Sequence, residues 1–352
     1  MEFREISDKT KWNEFVNNLL STDILQSWEW GEVKRIEGWT PYRFALEESG
    51  ELVSAIQIMV KQVRFLGKLA YAPHAPVLSS KYSNKQFKDF LVSKQWDVLE
   101  TGLIAWAKAN GIFAIEIEPK VDERDLVTLK SLKWDITKRN RQPKYKLFMD
   151  ITKSEEEIKA GMKKSTRYNI SYAEKKGVVI KKYTVQQMLT NPEILDRFYD
   201  LMLDMQKRAE YPIRSKGYFQ KFFEEFKDTN AVLVFEASYQ GDVMAMNISE
   251  YTNVWASSFY AGSNRLHPNL KSAYLLRWES IKEAKSRGCQ VYDFWGIVPE
   301  SKQHKGYSDH KLSFGGERVD FVGILICRMN FKALVWDLYL NLQKLLVKFK
   351  YS

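Results

Sequence analysis

The chain has 352 residues, 45% of them hydrophobic and 14% aromatic, with 11 Trp, 18 Tyr and 20 Phe. That aromatic content excludes a disordered chain, and the length favours two folding units over one. The formal net charge of +10 points to an anionic partner, whether nucleic acid, a phosphorylated substrate or anionic lipid, without choosing among them.

Cys289 and Cys327 stand in no CxxC pair and near no metal-spaced histidine, so neither a disulfide framework nor a zinc site is expected. No cofactor is called for. The opening MEFREISDKTKWNEF is charged and lacks the apolar core of a secretory signal. No run of about eighteen apolar residues, the length a membrane span needs, is present. The expectation is a cytoplasmic protein without a transmembrane helix.

In the first half, 42–48 (YRFALEE) and 52–60 (LVSAIQIMV) read as strands around a Ser49-Gly50 turn, and 68–78 (KLAYAPHAPVL) as a further extended segment. A helical stretch over roughly 84–109 stops at Asn110-Gly111, and 112–119 (IFAIEIEP) alternates as a strand. The second half repeats this order. Segments 231–239 and 243–251 flank Gly241-Asp242, 254–263 is the next strand, 271–287 has helical apolar spacing and stops at Gly288, and 289–297 closes as a strand. The repeat predicts two related α/β lobes with mixed sheets, with domains at 1–150 and 151–330.

Between the repeats, 162–177 (MKKSTRYNISYAEKKG) reads as a basic helix and 194–210 as an amphipathic one. The tail, 331–352, predicts a separate amphipathic helix. Phe331, Leu334, Val335, Leu338, Leu342, Leu345, Leu346 and Phe349 share its face, with Lys332, Lys344, Lys348 and Lys350 at the edges. That face either packs back onto a lobe or docks on a membrane surface.

The runs ILQSWEWGEVK (24–34), YAPHAPVL (71–78), FYAGSNRLHPNLKSAYLLRWESIKEAKSRGCQVYDFWGI (259–297) and HKLSFGGERVDFVG (310–323) occur in order over nearly the whole chain. Together they resemble the FemABX peptidoglycan aminoacyltransferases. The resemblance implies an α/β fold of two GNAT-like lobes, and too few residues separate Tyr218 from Ala231 for the coiled-coil arm of some members. It implies transfer of an amino acid from aminoacyl-tRNA to the stem-peptide amine of a peptidoglycan precursor, either lipid II or UDP-MurNAc-pentapeptide. The chemistry is attack of an amine on an ester, which needs phosphate contacts and a stabilised oxyanion rather than a covalent nucleophile.

On that resemblance Lys34, which ends the first motif, is a diphosphate contact; otherwise it is an exposed helix lysine. Arg214 and Tyr218 match a second phosphate contact and its neighbour, a role that suits the planar guanidinium fork. Tyr260 would line the substrate, or else serve the core. Lys311 is the candidate for stabilising the oxyanion, against the plain reading of a solvated lysine entering a strand. His310 stands where relatives carry an aromatic carbocycle, and either stacks in its place or titrates. Glu118 resembles an acidic position of the first lobe and is a candidate base, against a carboxylate on the solvated face of an alternating strand. Lys163, Lys164 and Arg167, with Lys175, Lys176, Lys181 and Lys182 nearby, would face the tRNA acceptor stem or simply water.

Two other readings stay open. An acyl-CoA-dependent N-acyltransferase would carry an Arg/Gln-x-x-Gly-x-Gly/Ala loop between strand and helix, and neither candidate strand is followed by one. A non-catalytic tRNA- or membrane-binding protein would fit the charge and the tail but would leave the ordered motifs unexplained.

Overall fold

The structure is a computed structural model that describes residues 1–80, 87–125, 129, 132–209, 212–301 and 305–350, with backbone alone at 87–88, 209 and 344–350. Strand β1 (Glu2–Glu5) and helices α1 (Lys9–Val16) and α2 (Trp28–Val33) open the chain. Strands β2 (Thr40–Glu48), β3 (Glu51–Val63), β4 (Gly67–Pro73) and β5 (Val77–Leu78) follow, then helices α3 (Phe87–Leu91) and α4 (Lys94–Ala109). Next come β6 (Ile112–Glu118), β7 (Asp135–Ile136) and β8 (Tyr145–Asp150), then α5 (Glu155–Ala160), α6 (Lys164–Lys175) and β9 (Val179–Thr184). Helices α7 (Val185–Thr190), α8 (Pro192–Ala209) and α9 (Lys216–Phe226) lead to β10 (Val232–Tyr239), β11 (Asp242–Tyr251) and β12 (Trp255–Ser263). The chain continues through α10 (Ser272–Ser286), β13 (Val291–Ile297), α11 (Lys305–Leu312), β14 (Glu317–Asp320), β15 (Leu325–Arg328) and α12 (Lys332–Lys350).

The chain divides into two units, 1–142 with 321–352, and 143–320. The first holds a sheet ordered β1-β2-β3-β4-β6-β15-β7, with β5 also paired to β3; the second holds β14-β8-β13-β12-β11-β10-β9. Each sheet has one parallel pair in the same relative place, β4 with β6 and β12 with β13. A helix covers each crossover, as a parallel connection requires. These are α4, capped by the Ser93 side chain, and α10. Both leading hairpins also turn alike. Ser49 and Gly50 have φ of 52° and 86°, and Gln240 and Gly241 have 51° and 93°, so both turn residues are left-handed, the conformation whose twist matches a two-residue hairpin.

The boundaries expected at 150 and 330 differ from this division. Strand β8 pairs with β13 and β14 in the second sheet, so the second unit begins before it. Strand β15 pairs with β6 and β7 in the first sheet, so the chain returns to the first unit after Asp320. Each sheet is completed by a strand distant in sequence, which hydrophobic patterning cannot assign. Helix α12 belongs to the first unit rather than standing as a segment of its own.

The cores follow the sheets. In the first unit Trp96, Leu99, Leu103 and Ala107 of α4 pack on Ile56, Ile58, Ala70, Ile115 and Ile117. In the second, Leu275, Trp278, Ile281 and Ala284 of α10 pack on Phe235, Ala245, Ala256, Tyr292 and Phe294. Helix α12 docks through Ala333 and Trp336 onto Leu69, Phe113, Ala114 and Ile326. Its apolar face, Phe331, Leu334, Val335, Leu338 and Leu342, is exposed, so of the two readings the one that packs it back onto a lobe does not hold. Leu345, Leu346, Phe349 and the lysines 344, 348 and 350 lie outside the described side chains.

Candidate functional site

In the first unit, the run 24–34 builds a scaffold before it builds a site. The buried Gln26 amide accepts from the Gln57 backbone at 2.7 Å and donates to the Pro73 carbonyl at 2.6 Å, while the Gln57 amide donates to the Ser27 carbonyl at 2.8 Å. Ser27 caps α2, and the Arg43 guanidinium lies 3.5 Å from the Trp28 ring centroid and donates to Glu32 at 2.9 Å. A Cβ on Gly31 would stand 2.3 Å from Gln57 Oε1, so only glycine lets helix and strand approach this closely. This packing fixes the end of α2, where Lys34 sits.

Lys34 is buried, not an exposed helix lysine. Its ammonium pairs with Glu37 and lies 5.5 Å from the Trp30 ring centroid. The Lys34 carbonyl accepts from the Trp39 backbone, and the Trp39 ring lies 6.2 Å from that of Tyr71. Tyr71 in turn donates to Glu118 at 2.5 Å.

Glu118 is likewise buried, because every residue of β6 is covered on both faces; the solvated-face reading fails for that reason. Its carboxyl accepts from the backbone of Arg141 and Gln142 at 3.1 Å. Burial pushes it up to about 7 against those hydrogen bonds. Tyr71, buried beside it, is raised well above the ordinary phenol value.

In the second unit the structure brings Arg214, Tyr218 and Tyr260 together. The exposed Arg214 guanidinium lies 5.3 Å from the Tyr218 ring centroid, and the Tyr260 hydroxyl donates to that of Tyr218 at 3.2 Å. Desolvation pushes the Tyr260 hydroxyl up to about 12, opposed by Tyr218 and Arg214. Tyr260 packs edge-on to Phe259 at 4.4 Å, and Phe259 to Trp295 at 4.7 Å. This ladder of rings leads to Lys311.

Lys311 lies in helix α11, not at the start of a strand, and it is buried rather than solvated. Helix α11 is pinned to the end of β13 by the Ser308 hydroxyl, which accepts from Val298 at 2.9 Å. The Lys311 ammonium donates to the Gly296 carbonyl at 2.8 Å and to the Tyr307 hydroxyl. Gly296 belongs to a bulge in β13, where the register against β8 shifts between Asp293 and Gly296 and Trp295 adopts φ 63°. That strained turn is held by a pair sequence reasoning missed. Fully buried Lys146 donates to Asp293 at 2.8 Å and lies 3.7 Å from the Trp295 ring centroid, while the other Asp293 oxygen accepts from Trp295 N at 2.6 Å.

The cluster is cation-rich. Burial, then Arg277 and Lys146, press Lys311 well below its ordinary value, and Asp293 alone opposes them. An incoming anion would reverse that imbalance. His310 packs edge-on between aromatic rings, neither stacking face to face nor titrating near neutrality. Its ring lies 4.5 Å from Tyr274 and 5.4 Å from Phe314, and desolvation, then Arg277 and Lys311, lower it to about 3.

Lys163 and Lys164 are exposed at the start of α6. Arg167 instead donates to the carbonyls of Lys159, Ala160 and Met162, closing the end of α5. Lys182 pairs with Glu283 at 2.7 Å. Among the described residues, no group of three or more His, Cys, Asp or Glu could hold a metal ion.

The two mixed sheets, each with one helix-covered parallel crossover, define an α/β protein of two like units, and its structural neighbours make those units GNAT-like. Over 96% of this chain and 99% of the other, the fold matches the crystal structure of FemX with a TM-score of 0.82 at 18% identity. A tandem GNAT protein from the clavulanic acid biosynthesis pathway matches over 94% and 98% with a TM-score of 0.53 at 9% identity. The FemAB family model matches residues 7–134, 128–250 and 235–339, and the chain belongs to the FemAB family. A lipid II:glycine glycyltransferase of Staphylococcus haemolyticus (strain JCSC1435) is 27% identical over 226 residues, which are 61% of this chain and 50% of that one. Its namesake in Staphylococcus aureus (strain MRSA252) is 26% identical over 222 residues, 60% and 49% of the two chains. The chain thus spans about half the length of the curated relatives it matches.

Proposed function

We propose that this chain is an aminoacyltransferase that moves an amino acid from aminoacyl-tRNA to the stem-peptide amine of a peptidoglycan precursor. The precursor amine attacks the ester carbonyl, the carbonyl oxygen takes the negative charge, and collapse expels the ribose hydroxyl of the tRNA. The observation that carries this reading is Lys311, a buried amine held by the Gly296 carbonyl of the β13 bulge, with Arg277 and Lys146 near it to favour an arriving negative charge, which would in turn keep Lys311 protonated. A preorganised donor at a developing oxyanion contributes about 3 kcal/mol of barrier lowering.

On this reading Lys34 is a diphosphate contact, and Arg214 is a second phosphate contact backed by Tyr218 and Tyr260. Glu118, held near neutrality, is a base that could receive the amine proton, and its buried hydrogen-bonded position suits proton exchange better than salt bridging. His310 supplies the aromatic surface beside Lys311. Lys163, Lys164 and Arg167 are tRNA contacts of the kind that weaken with salt, although Arg167 also has its helix-closing task. The names of the relatives favour lipid II as acceptor over a soluble nucleotide-linked precursor. The setting is the inner face of the cytoplasmic membrane, and no helix among the described residues is long and apolar enough to cross it.

Mass spectrometry of lipid II and of UDP-MurNAc-pentapeptide, each incubated with the protein and a mixture of charged tRNAs, tests the proposal. A mass gain of one or more amino-acid residues on either precursor supports it. Acetylation from an acyl-CoA with no gain from charged tRNA would establish the acyl-CoA reading instead.

A further inference from the structure

Helix α12 presents to solvent the face that its sequence makes most apolar. Phe331 is 71% exposed, Leu334 and Leu338 are each 60% exposed, and Val335, Tyr339 and Leu342 complete the stripe. The helix cannot turn that stripe inward without giving up its present attachment. On its other face Trp336 is buried against Phe113 and donates to Glu116 at 3.2 Å, and Asp337 pairs with Arg139 at 2.8 Å and Arg328 at 2.7 Å. A second apolar projection belongs to the same unit. Phe65, at the tip of the β3–β4 hairpin with φ 67°, is 86% exposed. Leu66 beside it and Leu340 of α12 pack against the same buried group of Leu69, Phe113, Ala114 and Ile326, so hairpin tip and helix lie on one side of the sheet.

The charges around these projections share one sign. The hairpin end carries Lys61, Arg64 and Lys68 and no carboxylate, and the Arg64 guanidinium lies 4.7 Å from the Phe65 ring centroid. The described side chains of α12 add Lys332, and their one carboxylate, Asp337, is already paired to two arginines. Apolar side chains rimmed by cations gain from both acyl-chain burial and attraction to anionic headgroups.

We propose that the Phe65 hairpin tip and the Phe331–Leu342 face of α12 form a single docking surface for an anionic lipid bilayer. It deepens the transferase reading, on which it rests only for the lipid-linked acceptor. Docking would hold the first unit at the surface where such an acceptor resides, and the hairpin would dip its ring among headgroups while the helix lies along the interface.

Vesicle flotation of the full chain tests this without tRNA or precursor, so its outcome is separable from any failure of the transfer assay. Vesicles of phosphatidylglycerol with phosphatidylcholine should carry the protein up the gradient, and vesicles of phosphatidylcholine alone should carry far less. Phe65→Ser and the double variant Leu334→Ser/Leu338→Ser should each lower partitioning roughly tenfold, with thermal unfolding unchanged because all three positions are exposed. Arg64→Ala/Lys332→Ala should erase the preference for anionic vesicles. Failure of the wild type to float, or flotation of the variants like wild type, would overturn the proposal. So would light scattering that showed a dimer dissolved by Leu334→Ser/Leu338→Ser, since the face would then be an interface between copies.

Discussion

Lys146 and Asp293 form an ion pair at 2.8 Å with both side chains removed from water, and this pair holds the β13 bulge whose Gly296 carbonyl orients Lys311. One oxygen of Asp293 serves Lys146 and the other the backbone of Trp295, so Lys146, 147 positions from Asp293 in sequence, helps set the local geometry of the candidate catalytic Lys311. Replacing Lys146 with Met leaves a buried carboxylate uncompensated. A loss of about 3–5 kcal/mol in unfolding free energy is expected. Lys146→Met/Asp293→Asn should recover part of it, measured by denaturant unfolding.

Gly31 is where a missing side chain has a measurable value. Gly31→Ala places a Cβ against Gln57 and Arg43 side chains that are themselves fixed by hydrogen bonds. Overpacking of this kind costs about 1–3 kcal/mol. The variant should also weaken precursor binding by displacing Lys34 at the end of α2. Lys34→Ala should weaken precursor binding with little loss of fold, and calorimetric titration of precursor into both variants checks the pair.

His310 makes an acid-sensitive site. Its folded value of about 3 lies below the ordinary 6.5, so the unfolded chain binds the proton more readily. The neutral ring therefore contributes stability that is present above pH 6.5 and drains away as pH falls toward 3. At pH 5 the loss is about 2 kcal/mol. His310→Phe keeps a ring between Tyr274 and Phe314 and should unfold less readily than wild type at pH 5 while retaining transfer at pH 7.

Glu118 works in the opposite sense. Its folded value of about 7 lies above the ordinary 4.5, so its contribution is full below pH 4.5 and is lost as pH rises through 7. The difference corresponds to about 3 kcal/mol. Glu118→Gln, which keeps a partner for Tyr71, should flatten the fall in melting temperature between pH 4.5 and 7. If Glu118 also accepts the amine proton, transfer by that variant should lose its dependence on a group titrating near 7.

The alternation of the strands, the hairpin turns and the glycine-stopped helices were legible because each is a local property of a short segment. Residues 52–60 and 243–251 were placed in strands that the structure extends by only a few residues, as β3 and β11. What could not be read was long-range. Nothing in the pattern around Lys146 separates a buried lysine from a solvated one, since its partner lies on another strand of the sheet. Strands β8 and β15 changed units for the same reason. The strand expected at Lys311 rested on the family resemblance, which places such a lysine before a hydrophobic strand; the helix over 305–312 instead reflects the Ser308 contact to the end of β13 and the packing of Leu312 and Phe314 in the second core. The apolar stripe of α12 was visible, but not that Ala333, Trp336 and Asp337 would make the attachment and leave the stripe outside.

The central claim is that Lys311 stabilises charge formed during transfer rather than binding the precursor at rest. Single-turnover transfer from charged tRNA to precursor by Lys311→Met, alongside the precursor dissociation constant of the same variant, tests it most directly. The account predicts a fall in the transfer rate on the order of 10²–10³-fold with precursor binding changed less than about threefold. Transfer at the wild-type rate, or a loss of binding as large as the loss of rate, would contradict it.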